Sequence, residues 1–177
     1  MPRIHPAGGS LKAAARYDET QFANAITQFY ADYGYYPCNK NTGGDANDYL
    51  INGGPGEAQL FKILADNEAD NPIIKKMNPR GTIYLDVPSV RDPVKPKSGI
   101  GPDGVWYDPW GNPYLIKIDN NYNGIILNPY SANAGPAQLK LGVIVWSLGP
   151  DGQGATSPTA NGDKNKGIFQ DDVTTWH

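Results

Sequence analysis

From Leu11 to Tyr33 the chain runs without a proline or a glycine, although 21 glycines and 16 prolines punctuate its 177 residues elsewhere. A stretch that long and uninterrupted has to be one regular element, and its apolar residues say which. Ala15, Phe22, Ile26, Phe29 and Tyr33 follow one another at intervals of 7, 4, 3 and 4, which places them on one stripe of a helix and rules out the alternation of a strand. Gly34 offers a left-handed cap and Pro37 prevents the helix from resuming, so the element ends at Tyr33 or Gly34. Its length exceeds ~30 Å, long for the opening element of a small domain.

The rest of the chain is short-range structure between turns. Asn39 to Gly56 is rich in Gly, Asn and Asp and reads as loop. A second, short helix fits Glu57 to Asp66, with Pro55 near its first turn. Prolines at 72, 79, 88, 93, 96 and 102 then break the chain repeatedly, leaving room for one short strand at Thr82–Val87 in a surface-crossing connection. Tyr114–Ile118, Gly124–Leu127 and Val143–Trp146 are rich in β-branched and aromatic residues and separated by turn residues, the pattern of an antiparallel meander. Helix first and sheet second is an α+β order, with the long helix packed on a small antiparallel sheet. Residues 11–177 are expected to form one domain, and residues 1–10 read as an added leader. With 39% hydrophobic residues the domain can bury a core without disulfide or metal staples.

Composition narrows the chemistry. The net charge is −3 and no segment carries the dense Lys/Arg run that tracks a phosphate backbone, so nucleic acid is not an expected partner. Cys38 is the single cysteine and can form no intrachain bridge, and the two histidines, His5 and His177, sit within five residues of a terminus. No window reaches the ~20 consecutive apolar residues of a membrane span. Gly53-Gly54-Pro55-Gly56 lacks the Lys and Ser/Thr of a phosphate loop, there is no nucleophile-elbow or Cys-x-x-Cys motif, and Glu57, Asp86 and Asp108 are not spaced as an acid–base pair. An enzyme is not expected.

Three constellations remain. Ser147-Leu148-Gly149-Pro150-Asp151-Gly152-Gln153, with the later Asp171-Asp172, could surround a calcium ion with carbonyls and carboxylates, or be an ordinary turn and a solvated acidic pair. Asp119-Asn120-Asn121-Tyr122-Asn123-Gly124 matches the first half of an EF-hand loop, but its twelfth position is Tyr130, and Asn123-Gly124 between apolar runs signals a hairpin turn. In Trp106-Tyr107-Asp108-Pro109-Trp110-Gly111-Asn112-Pro113-Tyr114 the rings close one end of the sheet while Asp108 hydrogen-bonds the turn. Were Trp106, Tyr107 and Trp110 exposed instead, they would suit a secreted carbohydrate-binding module.

Taken together, Phe29-Tyr30-Ala31-Asp32-Tyr33-Gly34-Tyr35-Tyr36-Pro37, Asp108-Pro109-Trp110-Gly111-Asn112-Pro113-Tyr114, and Trp146-Ser147-Leu148-Gly149-Pro150-Asp151-Gly152 followed by Asp171-Asp172-Val173 and Trp176 resemble the major pseudopilin of type II secretion systems. That is the protein G family of the type IV pilin-like proteins, and the order of the motifs matches over about residues 11–176. The resemblance implies a pilin-like fold and a non-catalytic, self-assembling subunit of a periplasmic helical filament that helps export folded proteins. It also implies contacts with other pseudopilins and with inner-membrane components of the secretion system. In the family the hydrophobic first half of the long helix anchors the protein in the inner membrane after a prepilin-peptidase site; neither feature is in this sequence, so the chain is expected to correspond to the ectodomain. A type IV pilus-type subunit is the alternative within the same superfamily. The family's calcium site maps onto the Leu148 carbonyl, Asp151, a carbonyl near Gln153, Asp171 and Asp172. Between Asp151 and Asp171 lie 19 residues, more than the usual family loop, so Asp163 or Asn165 could replace a ligand, or the 154–170 insertion could hold itself without metal.

Overall fold

The computed structural model describes residues 8–38, 48–65, 70–156 and 162–176; His5, His177 and most of the leader lie outside them. The first helix, α1 (Gly8–Tyr33), has 26 residues and begins inside the stretch read as leader. Ala15, Phe22, Ala25, Ile26 and Phe29 are buried along one side. Gly34, at φ 71°, ends the helix, its N–H donating to the Tyr30 carbonyl.

The main sheet has the strand order β1 (Tyr49–Asn52), β4 (Leu115–Ile118), β7 (Val143–Ser147), β8 (Val173–Thr174), and every neighbouring pair is antiparallel. Two small ribbons lie outside it, β2 (Gly99–Ile100) with β3 (Trp106–Tyr107), and β5 (Ile126–Leu127) with β6 (Gln138–Leu139). The α+β class, a long helix with a small antiparallel sheet, is therefore what the sequence implied. Beside it stand α2 (Gly54–Ala65) and α3 (Pro72–Met77).

The sheet is covered on both faces, which explains its unbroken apolar strands. Ile116, Ile118, Val143 and Val145 join α1 and α2 in one core. Leu115, Ile144 and Trp146, the alternate residues of the same strands, join Ile126, Tyr130, Leu139, Leu148 and Ala155 in another. Lys117 belongs to the second face by the same alternation. Its ammonium pairs with Asp48 at 3.6 Å and donates to the Leu127 carbonyl at 2.9 Å, tying β1, β4 and β5 together in a nearly dry setting.

Four local expectations are corrected. Tyr49–Asn52, read as loop, is the edge strand β1, and residues 54–56 of the same expected loop already open α2; residues 39–47 lie outside the described residues. Thr82–Val87 is extended but is not a strand, because the N–H groups of Tyr84 and Leu85 both go to the single carbonyl of Leu64 at the end of α2 and no ladder partner runs alongside. The proline-broken connection contains α3, with Asn71 accepting from the Ile73 N–H as N-cap and Pro72 in the first turn. Finally, Asn123-Gly124 does not close a hairpin between β4 and its successor, since β5 pairs with β6. Asp119 accepts the N–H groups of Asn123 (3.1 Å) and Gly124 (2.8 Å), and this turns the chain out of the main sheet.

Phe29 is fully buried against the rings of Tyr33, Tyr35 and Tyr84, whereas the adjacent Gln28 is exposed. Phe29→Ala is expected to lower unfolding free energy by ~3–5 kcal/mol and Gln28→Ala by less than ~0.5 kcal/mol in urea titrations. Equal losses would mean that the buried face of α1 is wrongly assigned.

Candidate functional site

The sequence motifs at 106–114 and 146–153 meet at one buried carboxylate. Asp108 Oδ1 accepts the N–H groups of Trp110, Gly111 and Asn112 at 2.9, 2.7 and 2.9 Å, as a turn-organising Asp does. Its Oδ2 accepts the Ser147 hydroxyl at 2.6 Å. Ser147 Oγ in turn accepts the Gly149 N–H, and Asn112 Nδ2 donates to the Gly149 carbonyl. One side chain thus fixes the aromatic turn and hangs the following loop from it. Burial still pushes the Asp108 carboxyl above the ordinary range, against the lowering effect of these hydrogen bonds.

The loop leaving β7 turns on Gly149, at φ 67°, where a side chain would run into the main chain of Asp171. This brings part of the expected calcium set together: the Leu148–Gln153 turn, with the Asp171 carboxylate accepting the Asp151 N–H at 3.3 Å and Asp151 accepting the Gln153 N–H at 2.8 Å. Asp172 is directed elsewhere. Its Oδ2 accepts the Tyr130 hydroxyl at 2.6 Å, it sits against Gly154, and its Oδ1 is buried with no donor at full hydrogen-bond geometry among the described residues. Burial pushes it up to about 7, the Tyr130 hydrogen bond and the Lys164 charge acting the other way. Among the described residues no three His, Cys, Asp or Glu side chains converge as a metal cluster, so a cation here would draw on main-chain oxygens as well as carboxylates. That all-oxygen set suits a hard ion such as calcium.

The insertion is stapled by a segment that sequence reasoning did not connect to it. The Ser131 N–H and hydroxyl both donate to the Gly162 carbonyl, the Lys164 N–H donates to the Ala132 carbonyl, and Asn133 Nδ2 donates to Asp163 at 2.7 Å. Asp163 also accepts the Asn165 N–H and pairs with Lys166. Asn128 shapes this segment from within, donating to the carbonyls of Ala134 and Pro136 and accepting the Tyr130 N–H. Trp146 donates to the Ala155 carbonyl and Trp176 to that of Ala134, closing the second core.

The rings proposed for sugar stacking are differently placed. Trp106 is 3% exposed, between Phe22 and Tyr114; Tyr107 and Trp110 are half-buried, and the Tyr107 hydroxyl donates to Asp103 at 2.6 Å. The Cys38 thiol is buried and faces Asn120 Oδ1 at 3.6 Å.

The acid that sequence reasoning missed is Glu19. It lies on the buried side of α1 with no exposed surface, and among the described residues neither of its oxygens has a partner at full hydrogen-bond geometry, the Ser147 main chain being near. Burial, opposed by the Arg16 charge and reinforced by Asp108, pushes it up to about 9. Nearby Asp18 accepts the Tyr114 hydroxyl at 2.9 Å. No described helix is long and apolar enough to cross a membrane. No protein-family model matches the chain, and neither the curated proteins nor the solved structures contain a significant match to it.

Proposed function

We propose that this chain is the periplasmic part of a pilin-like filament subunit, a pseudopilin of the type II secretion kind that contributes structure rather than catalysis. In this reading an apolar continuation of α1 anchors the protein in the inner membrane and later packs in the filament core, and copies of the chain assemble with other pseudopilins. The observation that supports it most is the linkage through Asp108, Asn112, Ser147 and Gly149. It joins two of the resembling motifs, 39 residues apart, and sets the Asp171 main chain against Gly149.

The test is genetic. The gene is expected to encode an apolar segment upstream of Leu11, deletion should stop export of folded proteins, and overproduction of the whole product should give shearable filaments containing this chain. Loss of surface pili with export intact would assign it to a type IV pilus instead. A gene with no apolar segment before Leu11 would overturn both forms. Burial of Trp106 takes one of the three rings out of the carbohydrate-binding alternative.

Calcium belongs to the same proposal, held by the Leu148 and Gln153 carbonyls with Asp151 and Asp171, Asp172 joining them only by giving up its Tyr130 hydrogen bond. A cation neutralises acids that the polar 148–172 loop has too few apolar groups to hold together. Binding to the folded state alone adds about 2.7 kcal/mol at a hundredfold excess over Kd, so Tm is expected to rise with calcium and fall with chelator. Asp151→Ala and Asp171→Asn should abolish the rise and Asp119→Ala should leave it. Because Asp172 also accepts the Tyr130 hydroxyl, Asp172→Asn is the variant that removes its charge with least disturbance. An unchanged Tm in calcium would leave the insertion held by the 131–134 staple.

A further inference from the structure

One cleft, apart from Asp172 at its edge, is used by nothing described so far. It measures about 490 Å³ and lies between the first turns of α1 and the C-terminal segment, with Lys12, Arg16, Lys164, Gln170 and Asp172 among its lining. Lys12 and Arg16 are exposed one helical turn apart, a like-charge pair that weakens an isolated helix. Lys164 belongs to the C-terminal segment across the cleft. It is 8% exposed, and among the described residues its ammonium makes no hydrogen bond and no ion pair. Burial holds its pKa below the ordinary lysine range, and the charges of Lys12 and Arg16 add to this, while Asp172 and Asp171 oppose it. The Lys164 stem is packed away, but its ammonium is not among the fully buried polar atoms and so opens onto the cleft, where an anion can reach it. Asp172 is not within ion-pair distance of it, and its Oδ2 is engaged by Tyr130.

We propose that this cleft binds a phosphate group between Lys12, Arg16 and Lys164. A planar carboxylate is satisfied by one guanidinium fork, whereas three cationic donors from two elements suit a tetrahedral group with several charged oxygens. The group can belong to free phosphate or to a phospholipid headgroup, and the assignment is independent of the filament reading.

The experiment has two arms, both with the whole chain. Inorganic phosphate is titrated by calorimetry at low and high ionic strength, and the protein is sedimented with phosphatidylcholine vesicles with or without phosphatidylglycerol. Saturable, salt-sensitive phosphate binding without sedimentation identifies free phosphate; sedimentation that requires phosphatidylglycerol identifies a headgroup. In the positive arm Lys164→Met should weaken binding at least about tenfold, a loss of ~1.4 kcal/mol, and Lys164→Arg should retain it. Lys75→Gln on α3 should change nothing. Arg16→Gln, at an exposed position, gives the same readout if Lys164→Met fails to fold. No saturable binding in either arm, or binding indifferent to both Lys164→Met and Arg16→Gln, overturns the proposal.

Discussion

Replacing Asp108 with alanine is expected to cost about 3–5 kcal/mol, measured by urea unfolding at neutral pH. The residue has no exposed surface, and its removal takes the acceptor from the Trp110 and Asn112 N–H groups and from the buried Ser147 hydroxyl, leaving Gly111 only its bond to the Asp108 carbonyl. Unsatisfied buried donors cost ~1–3 kcal/mol each before relaxation, so losing several together exceeds the usual point-mutant penalty. Asp108→Asn keeps an oxygen for the three N–H groups and presents an amide to Ser147, so its cost should be nearer ~1–2 kcal/mol. The alanine variant should also be cut by protease in the 148–156 loop, because Gly149 is tied to the turn through Ser147 and Asn112. A loss below ~1 kcal/mol for Asp108→Ala, with the loop still protected, would mean that the two motifs are held together by packing alone.

The second large effect is a stability that falls as the solution becomes alkaline. Glu19 has an ordinary value of 4.5 and is pushed up to about 9 in the folded protein. Between those limits the unfolded chain releases a proton that the folded chain keeps, so folding is increasingly disfavoured as pH rises through the window and levels off above it. Glu57, fully buried and raised to about 8, and Asp172, raised to about 7, act in the same sense. Unfolding free energy should therefore be highest near pH 5 and decline toward pH 8. Glu19→Gln should flatten that decline and leave the variant more stable than the parent at pH 8, by on the order of 3 kcal/mol. Glu19→Met, which also removes the orphaned oxygens, should do at least as well. Superimposable pH profiles for parent and Glu19→Gln would show that Glu19 is solvated in solution.

Glu19 also marks where the sequence could have been read further. Ala15, Phe22, Ile26 and Phe29 were visible as a stripe with one interval of 7. Glu19 fills that gap, making the spacing 4, 3, 4, 3, but a carboxylic acid does not register in a search for apolar periodicity. Lys117 escaped for the same reason, since a lysine inside Leu-Ile-Lys-Ile reads as a solvent-facing position when the strand's second face is covered by a ribbon 10 residues away. The strands at 115–118 and 143–147 were legible because both faces are apolar. Tyr49–Asn52 was not, because a four-residue edge strand flanked by glycines carries less signal than its flanks. Thr82–Val87 had β-branched residues but no partner, and pairing is a property of the fold rather than of the segment. At the candidate site, the turn around Asp108 followed from local chemistry. Its bond to Ser147 spans 39 residues and is tertiary.

α1 rests on β7 and β8, so this helix meets its full seat only when residues 143–174 have followed. Contacts that close so long a loop form slowly, and until they do the helix stripe has only its partners from α2 and the neighbouring tyrosines. A product shortened before Val173 would leave β7 with an open edge and α1 without part of its platform, the condition under which quality-control proteases recognise a chain as unfinished.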